Sequence, residues 1–266
     1  MSSCLSAAFA TALLPLSAPL AGAAPEADPF EYVALGDSYA SGLGTGEYLP
    51  ESGDCRRSEL AYPSLAASEV GADSFSFVAC AGAKTEGVRT EQVTALSEST
   101  DVVTVSVGGN DAGFGPVVTT CATQDEQSCD QAISEAETYI VEQLPELLDD
   151  TYDAIAAAAP SARVAVVGYP RLFETGPCLS PLTSFERQRL NEAADTLNRV
   201  TGERARGAGF SFVDVTEEFT GHGVCGAQPW INGLSYPTEE SYHPNAAGHE
   251  QGFLPSVSEV FSGAVV

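Results

Sequence analysis

Short runs of apolar and β-branched residues alternate along the chain with longer stretches in which apolar positions recur at steps of three and four. The runs 30–35, 75–79, 101–107, 163–167 and 210–213 read as strands. The third is almost continuously apolar or β-branched, as expected of a strand covered on both faces. Ile133, Ala136, Ile140, Leu144, Leu148, Tyr152 and Ile155 mark one face of a helix, which Pro145 kinks or divides. A second helix is predicted over 185–205, with Leu190, Ala193, Ala194, Leu197 and Val200 on its buried side, and a terminal one over 246–261. Enough chain for a crossover helix separates each strand from the next, so the pattern predicts an α/β fold, a three-layer α/β/α sandwich around a parallel sheet of about five strands. Sites on such sheets collect at the carboxyl ends of the strands. The segments 42–54, 113–130, 168–181 and 220–242 carry turn chemistry and read as loops.

Composition narrows the class. The 266 residues, 44% hydrophobic, suffice for one large domain and are too few for two. Against 37 acidic residues stand 11 basic ones, a formal charge of −26 that repels nucleic-acid phosphates and anionic lipid headgroups. The stretch 5–24 is apolar and ends in small residues at Ala21-Gly22-Ala23. It reads as a secretory signal over 1–23, leaving 24–266 as one domain, although no Lys or Arg precedes Ala24. Pro15 and Pro19 interrupt the stretch, which argues against a membrane anchor, and no later segment is long and apolar enough to insert stably. Beyond Cys4 an even six cysteines remain, Cys55, Cys80, Cys121, Cys129, Cys178 and Cys225. No C-x-x-C or H-E-x-x-H pattern occurs, so they read as disulfides of an exported protein rather than zinc ligands. Sequence alone leaves all 15 pairings open. High charge and paired cysteines predict a monomer.

Candidate chemistry lies at strand ends. Ser38, in Gly36-Asp37-Ser38-Tyr39, follows the first strand, where a hydroxyl is lifted above the sheet. Ala40 stands where the G-x-S-x-G elbow needs its second glycine, so this is not that motif. The third strand runs into Gly108-Gly109-Asn110-Asp111, which lets backbone turn sharply and presents an amide N–H. Cys80-Ala81-Gly82-Ala83 after the second strand offers a free backbone N–H, and Tyr242-His243-Pro244-Asn245 places a histidine just before the terminal helix. Of the other two histidines, His249 falls within the terminal helical pattern and His222 in a glycine-flanked loop, and both read as surface positions. Asp37 and Asp111 read as braces for their loops. Gly42-Leu43-Gly44-Thr45-Gly46 and Gly82-Ala83-Lys84-Thr85 only partly match dinucleotide and phosphate loops and are set aside.

In order and spacing, these four segments resemble the conserved blocks of the GDSL, or SGNH-hydrolase, superfamily over about Tyr32 to Gly252. The resemblance is strongest to its secreted actinobacterial lipases and esterases, and it implies the flavodoxin-like SGNH-hydrolase fold. It also implies Ser38 as nucleophile, His243 as general base, and the Ser38 N–H, Gly82 N–H and Asn110 side chain as oxyanion donors, with no cofactor or metal. By the same resemblance the cysteines pair as Cys55–Cys80, Cys121–Cys129 and Cys178–Cys225. Many relatives orient the histidine with an aspartate three residues earlier; here that position is Glu240. Its longer side chain could serve, and so could its backbone carbonyl, which is the expectation adopted.

The chemistry is coherent on its own terms. A serine hydroxyl becomes nucleophilic when a neighbouring base takes its proton, and histidine suits that task near neutral pH. The expected protein is a secreted serine hydrolase of lipid or other small-molecule acyl esters that works through an acyl-enzyme. An acyltransferase or polysaccharide deacetylase of the same fold uses the same machinery. A secreted binding protein that lost catalysis would be expected to lack the Ser, Asn or His, and none is missing.

Overall fold

The computed structural model describes residues 29–262, so the expected signal over 1–23 and Cys4 lie outside the described residues. Five strands, β1 (Glu31–Gly36), β2 (Ser74–Phe77), β3 (Val102–Ser106), β4 (Arg163–Val167) and β5 (Ser211–Val213), form one all-parallel sheet in the order β2-β1-β3-β4-β5. Between and after them come α1 (Ser38–Ser41), α2 (Tyr62–Val70), α3 (Thr85–Thr90), α4 (Phe114–Thr123), α5 (Glu126–Glu142), α6 (Leu144–Ala158), α7 (Ser184–Gly207) and α8 (Leu254–Phe261). Helices α2 and α8 pack on one another, while α3, α5, α6 and α7 form a continuous second layer, giving the expected three-layer α/β/α sandwich. All five residues of β3 are buried, which is why its sequence is nearly unbroken Val and Thr.

Strand order reverses at β1, which lies between β2 and β3, and this brings the chain ends of β1 and β3 side by side. Gly36 pairs with Ser106, and the Asp37 N–H continues the ladder to the Ser106 carbonyl at 2.9 Å. Gly36 has φ +131°, and a Cβ there would fall 2.6 Å from that carbonyl, so only glycine lets the strand turn this close to its neighbour.

The predicted strands agree with the observed ones to within two residues. The run 75–79 ends early because the Val78 and Ala79 N–H groups both turn onto the Ala34 carbonyl. The long helical pattern divides at Pro145, whose missing N–H is harmless in the first turn of α6. Thr183 and Glu186 form a reciprocal capping box that starts α7. Two expectations need correction. The segment 113–130 is largely helix: α4 fills it, with Pro116 tolerated in the first turn and Val118 and Cys121 turned inward. The terminal stretch begins as a π-helical turn over Gly248–Phe253 before α8, since Gly252 lies so close to Phe219 that a Cβ would meet its ring.

The disulfides are Cys55–Cys80, Cys121–Cys129 and Cys178–Cys225, the pairing that the family resemblance implied. The second joins α4 to α5, and the third ties the loop after β4 to the loop after β5.

Candidate active site

Ser38 begins α1 directly beyond β1, where the buried Asp37 caps the helix by accepting the Tyr39 N–H at 2.9 Å. The Ser38 Oγ lies 2.8 Å from His243 Nε2, across 205 residues of sequence. His243 is held from several directions. Its ring packs against Tyr39 and Phe114, and its N–H and C=O bond Glu240 O at 3.3 Å and Asn232 N at 2.9 Å. The Tyr39 hydroxyl donates to the Tyr242 carbonyl at 2.7 Å. Gly44, at φ +104°, lets the first loop pass so close that a Cβ would sit 2.8 Å from that of His243.

The orienting group is not the one expected from sequence. His243 Nδ1 lies 3.0 Å from the backbone carbonyl of Ser241, not that of Glu240. The Glu240 carboxylate instead accepts the Tyr48 hydroxyl at 2.5 Å, and its carbonyl accepts the His243 N–H and the Asn232 amide. The cause is local: Tyr242 takes a left-handed φ of 62°, and the resulting tight turn brings the carbonyl two residues back under the imidazole. A carbonyl can only accept, so Nδ1 carries the proton and the lone pair on Nε2 faces Ser38. Burial lowers the His243 pKa from 6.5 to about 4, against the opposing pull of the Ser241 hydrogen bond. The ring is therefore neutral at neutral pH.

The three donors expected from sequence each keep a free N–H. No acceptor among the described residues takes the N–H of Ser38 or of Gly82. One hydrogen of Asn110 Nδ2 bonds the Ala83 carbonyl at 3.0 Å, leaving the other available. The turn bearing Gly82 is bound to β1 through Cys80 N–H to Gly36 O at 3.0 Å, and to the end of β3 through Asp111, which accepts the Thr85 hydroxyl at 2.6 Å. Asp111 thus serves as the expected brace, and so does Asp37.

Tyr169, unnoticed in the sequence, links the two turns. Its hydroxyl donates to Asp37 at 2.6 Å and accepts the Gly109 N–H at 3.3 Å. Burial pushes the Asp37 carboxyl up to about 7, outweighing the hydrogen bonds it accepts from Tyr169 and the Tyr39 N–H. Nothing in the local sequence around Tyr169 distinguishes it from a core tyrosine.

The other histidines take no part. His222 is half-buried and stacks on Trp230 with 3.6 Å between ring centres. His249, expected at the surface, is fully buried: it stacks on Tyr62 and Phe253, and its Nδ1 accepts the Tyr62 N–H at 3.2 Å. Its helix face meets α2 rather than water, which the pattern of apolar residues does not reveal.

Beside Ser38 a cleft opens between α4, α5 and α7. Phe114, Val117, Ile140, Leu190 and Leu197 make it almost wholly apolar, and Ser38, Asn110 and Tyr169 stand at its polar end. No cluster of three or more His, Cys, Asp or Glu side chains able to hold a metal occurs among the described residues.

Known proteins resemble this chain over most of its length. Residues 34–251 match the GDSL-like lipase/acylhydrolase family. Lipase 1 of Streptomyces coelicolor is 47% identical over 225 residues, 84% of each chain. Phospholipase A1 from Streptomyces albidoflavus NA297 superposes with a TM-score of 0.85 at 44% identity, covering 87% of this chain and 99% of that one. An extracellular lipase from Streptomyces rimosus superposes equally well, at 45% identity over the same shares. A family match over most of the chain and relatives this similar along nearly their whole length place the protein in the GDSL-like lipase/acylhydrolase family.

Proposed function

We propose that the protein is a secreted carboxylic ester hydrolase that cleaves lipid esters, with Ser38 as nucleophile and His243 as general base. The observation that carries this is the 2.8 Å contact between Ser38 Oγ and a neutral, buried Nε2 whose tautomer the Ser241 carbonyl fixes. As Oγ attacks the ester carbonyl, its proton passes to Nε2 and the carbonyl oxygen becomes an oxyanion. The free N–H groups of Ser38, Gly82 and Asn110 are the donors for that charge, each worth on the order of 3 kcal/mol. Collapse of the intermediate expels the alcohol, which takes the proton from Nε2 and leaves the acyl group on Ser38. A water then gives its proton to Nε2 and attacks, and Ser38 regains a proton as the acid departs. Among the described residues Nδ1 bonds no carboxylate, so the imidazolium formed in each half-reaction is steadied there by the Ser241 carbonyl dipole.

The apolar cleft beside Ser38 suits an acyl chain, and relatives named lipase and phospholipase A1 support a lipid ester as substrate. Three disulfides and the apolar stretch within 1–23 support export, with 24–266 as the mature chain, acting as a monomer. The test is hydrolysis of p-nitrophenyl esters from acetyl to palmitoyl by wild type and Ser38→Ala. Loss of turnover in a folded variant is expected; near wild-type turnover would sink the assignment, and the chain-length profile separates lipase from short-chain esterase.

A further inference from the structure

Large apolar side chains left in water are unevenly placed on this molecule. Among the described residues Leu179 is 106% exposed, Tyr236 95%, Leu234 67%, Val141 50% and Phe185 42%. All but Val141 lie in the segments that follow β4 and β5, which emerge at the carboxyl edge of the sheet where Ser38 and His243 meet. Leu234 and Tyr236 cap a strap closed by the Ile231–Pro244 bridge and the Asn232–His243 backbone bond at 2.9 Å. The strap is fastened by the Ser235 N–H to the Ser241 hydroxyl at 3.0 Å, on the residue whose carbonyl orients His243. Leu179 follows Cys178, whose disulfide to Cys225 joins this loop to the one carrying the strap. Between the two loops Val224 bonds Leu172 at 2.8 Å and Glu174 at 2.9 Å, and Leu172 lines the cleft. Phe185 opens α7, whose Leu190 and Leu197 line it further along. The exposed apolar tips are thus mounted on the same cross-linked frame that carries the histidine and the cleft wall.

Charge restricts what this rim can meet. Neither 174–186 nor 224–240 contains a Lys or Arg, while Glu174, Glu186, Glu239 and Glu240 lie within them on a chain of net charge −26. An anionic surface is repelled, and Arg56, whose guanidinium reaches this rim, is already paired with Glu239 at 3.5 Å. We propose that Leu179, Phe185, Leu234 and Tyr236 form a docking rim by which the enzyme settles its active-site mouth on an uncharged or zwitterionic lipid–water interface. Apolar tips of this kind gain by entering the acyl boundary, as interfacial segments do, and the disulfide holds them in place so that little ordering cost opposes adsorption. The proposal rests on the ester-hydrolase assignment only for its purpose; adsorption itself is measured without turnover.

The test uses the full-length mature chain in two arms. In the first, the Ser38→Ala protein, with and without Leu179→Ser/Leu234→Ser/Tyr236→Ser, is floated with phosphatidylcholine vesicles and with vesicles rich in phosphatidylglycerol. Binding to phosphatidylcholine is expected to exceed binding to the anionic vesicles, and the triple change is expected to weaken it by about three orders of magnitude, on the order of tenfold for each large side chain removed. In the second, the triple change is made in active enzyme. Hydrolysis of dissolved p-nitrophenyl butyrate should stay within about twofold of wild type, and hydrolysis of a tributyrin emulsion should fall at least about tenfold. Val141→Ser, also exposed but on α5 rather than in the segments after β4 and β5, should change neither rate. Equal vesicle binding with and without the rim, preference for anionic vesicles, or an equal loss in Val141→Ser would overturn the proposal. So would a wild-type dimer, seen by light scattering, that the triple change dissociates, since the rim would then serve a second copy of the chain. Hydrolysis that survives Ser38→Ala would instead overturn the catalytic assignment and leave the vesicle result standing.

Discussion

Burial of His243 without a carboxylate partner makes an unusual acid limb the sharpest expectation from this site. Desolvation holds the imidazole at a pKa of about 4, against 6.5 in water. The proposed general base must be neutral, so kcat/KM should be retained as pH falls and be lost only as pH passes through about 4. At pH 5 a base of pKa 4 is about 0.9 unprotonated, whereas one of pKa 6.5 is about 0.03 unprotonated, so the two cases differ about thirtyfold in activity relative to pH 8. The assay is kcat/KM for a short-chain p-nitrophenyl ester from pH 4 to 9, read at the isosbestic wavelength of nitrophenol and nitrophenolate. Circular dichroism and recovery on return to pH 8 separate protonation from unfolding. Asp37, held near 7 by burial, stands next to the nucleophile, so its titration can add a second limb close to neutrality. Asp37→Asn keeps an oxygen for the Tyr39 N–H and removes that titration, leaving only the limb of His243. An apparent pKa between about 6 and 7 in both the wild type and a folded Asp37→Asn would refute the claim that desolvation governs the base.

Two further outcomes follow from the site and its frame. Asn110→Ala removes one oxyanion donor, so kcat should fall about 10²- to 10³-fold with KM little changed in steady-state kinetics; a loss confined to KM would remove Asn110 from that role. Paired Cys→Ser changes should destabilise in the order of the loops they close, with sequence separations of 47, 25 and 8 for Cys178–Cys225, Cys55–Cys80 and Cys121–Cys129. Chain entropy gives about 4, 3.5 and 2.5 kcal/mol respectively in denaturant titration, and the reverse order would show that native-state contacts, rather than loop closure, set each contribution.

The sheet was legible because its signal is local and redundant. A strand buried on both faces must be apolar throughout, and β3 and β4 announce themselves that way. The short α2, α3 and α4 left little trace, since none opens on a capping side chain: α2 follows Ala61 with Pro63 in its first turn, α3 follows Lys84 and α4 follows Gly113. Ser38, Asn110 and His243 could be singled out as candidates because strand ends and glycine turns are sequence features, while their roles were implied by the family resemblance. The Ser241 carbonyl was missed because backbone acceptors have no sequence identity, and its position depends on one positive φ at Tyr242. His249 was misplaced for a related reason: a ring that can stack on Tyr62 and Phe253 counts as polar in a periodicity argument but is treated by the core as aromatic.

The least legible layer explains how irregular loops can hold a site that tolerates little displacement. Beyond the strand ends the sheet no longer supplies backbone partners, and each unpaired N–H or C=O buried there would cost on the order of 1–3 kcal/mol. Three side-chain amides take over that role. Gln92 accepts the Gly36 N–H at 2.7 Å and donates to its carbonyl at 2.9 Å. Asn198 does the same for Tyr169 at 2.8 and 2.7 Å, and Asn191 for Phe173 at 3.1 and 2.7 Å. An amide offers a donor and an acceptor side by side, the same pair a neighbouring strand would present, so each acts as a one-residue extension of the sheet. Gly36 precedes Asp37 and Ser38, and Tyr169 carries the hydroxyl that joins Asp37 to the Gly109 turn, so two of the three amides fix the Ser38 and Gly109 turns relative to one another. Two of the three sit on α7, which also forms one wall of the cleft, so acyl site and catalytic turns are registered to a single rigid helix. Misplacement by about 1 Å can cost about a hundredfold in rate, and two-point clamps limit such drift where the ladder has ended.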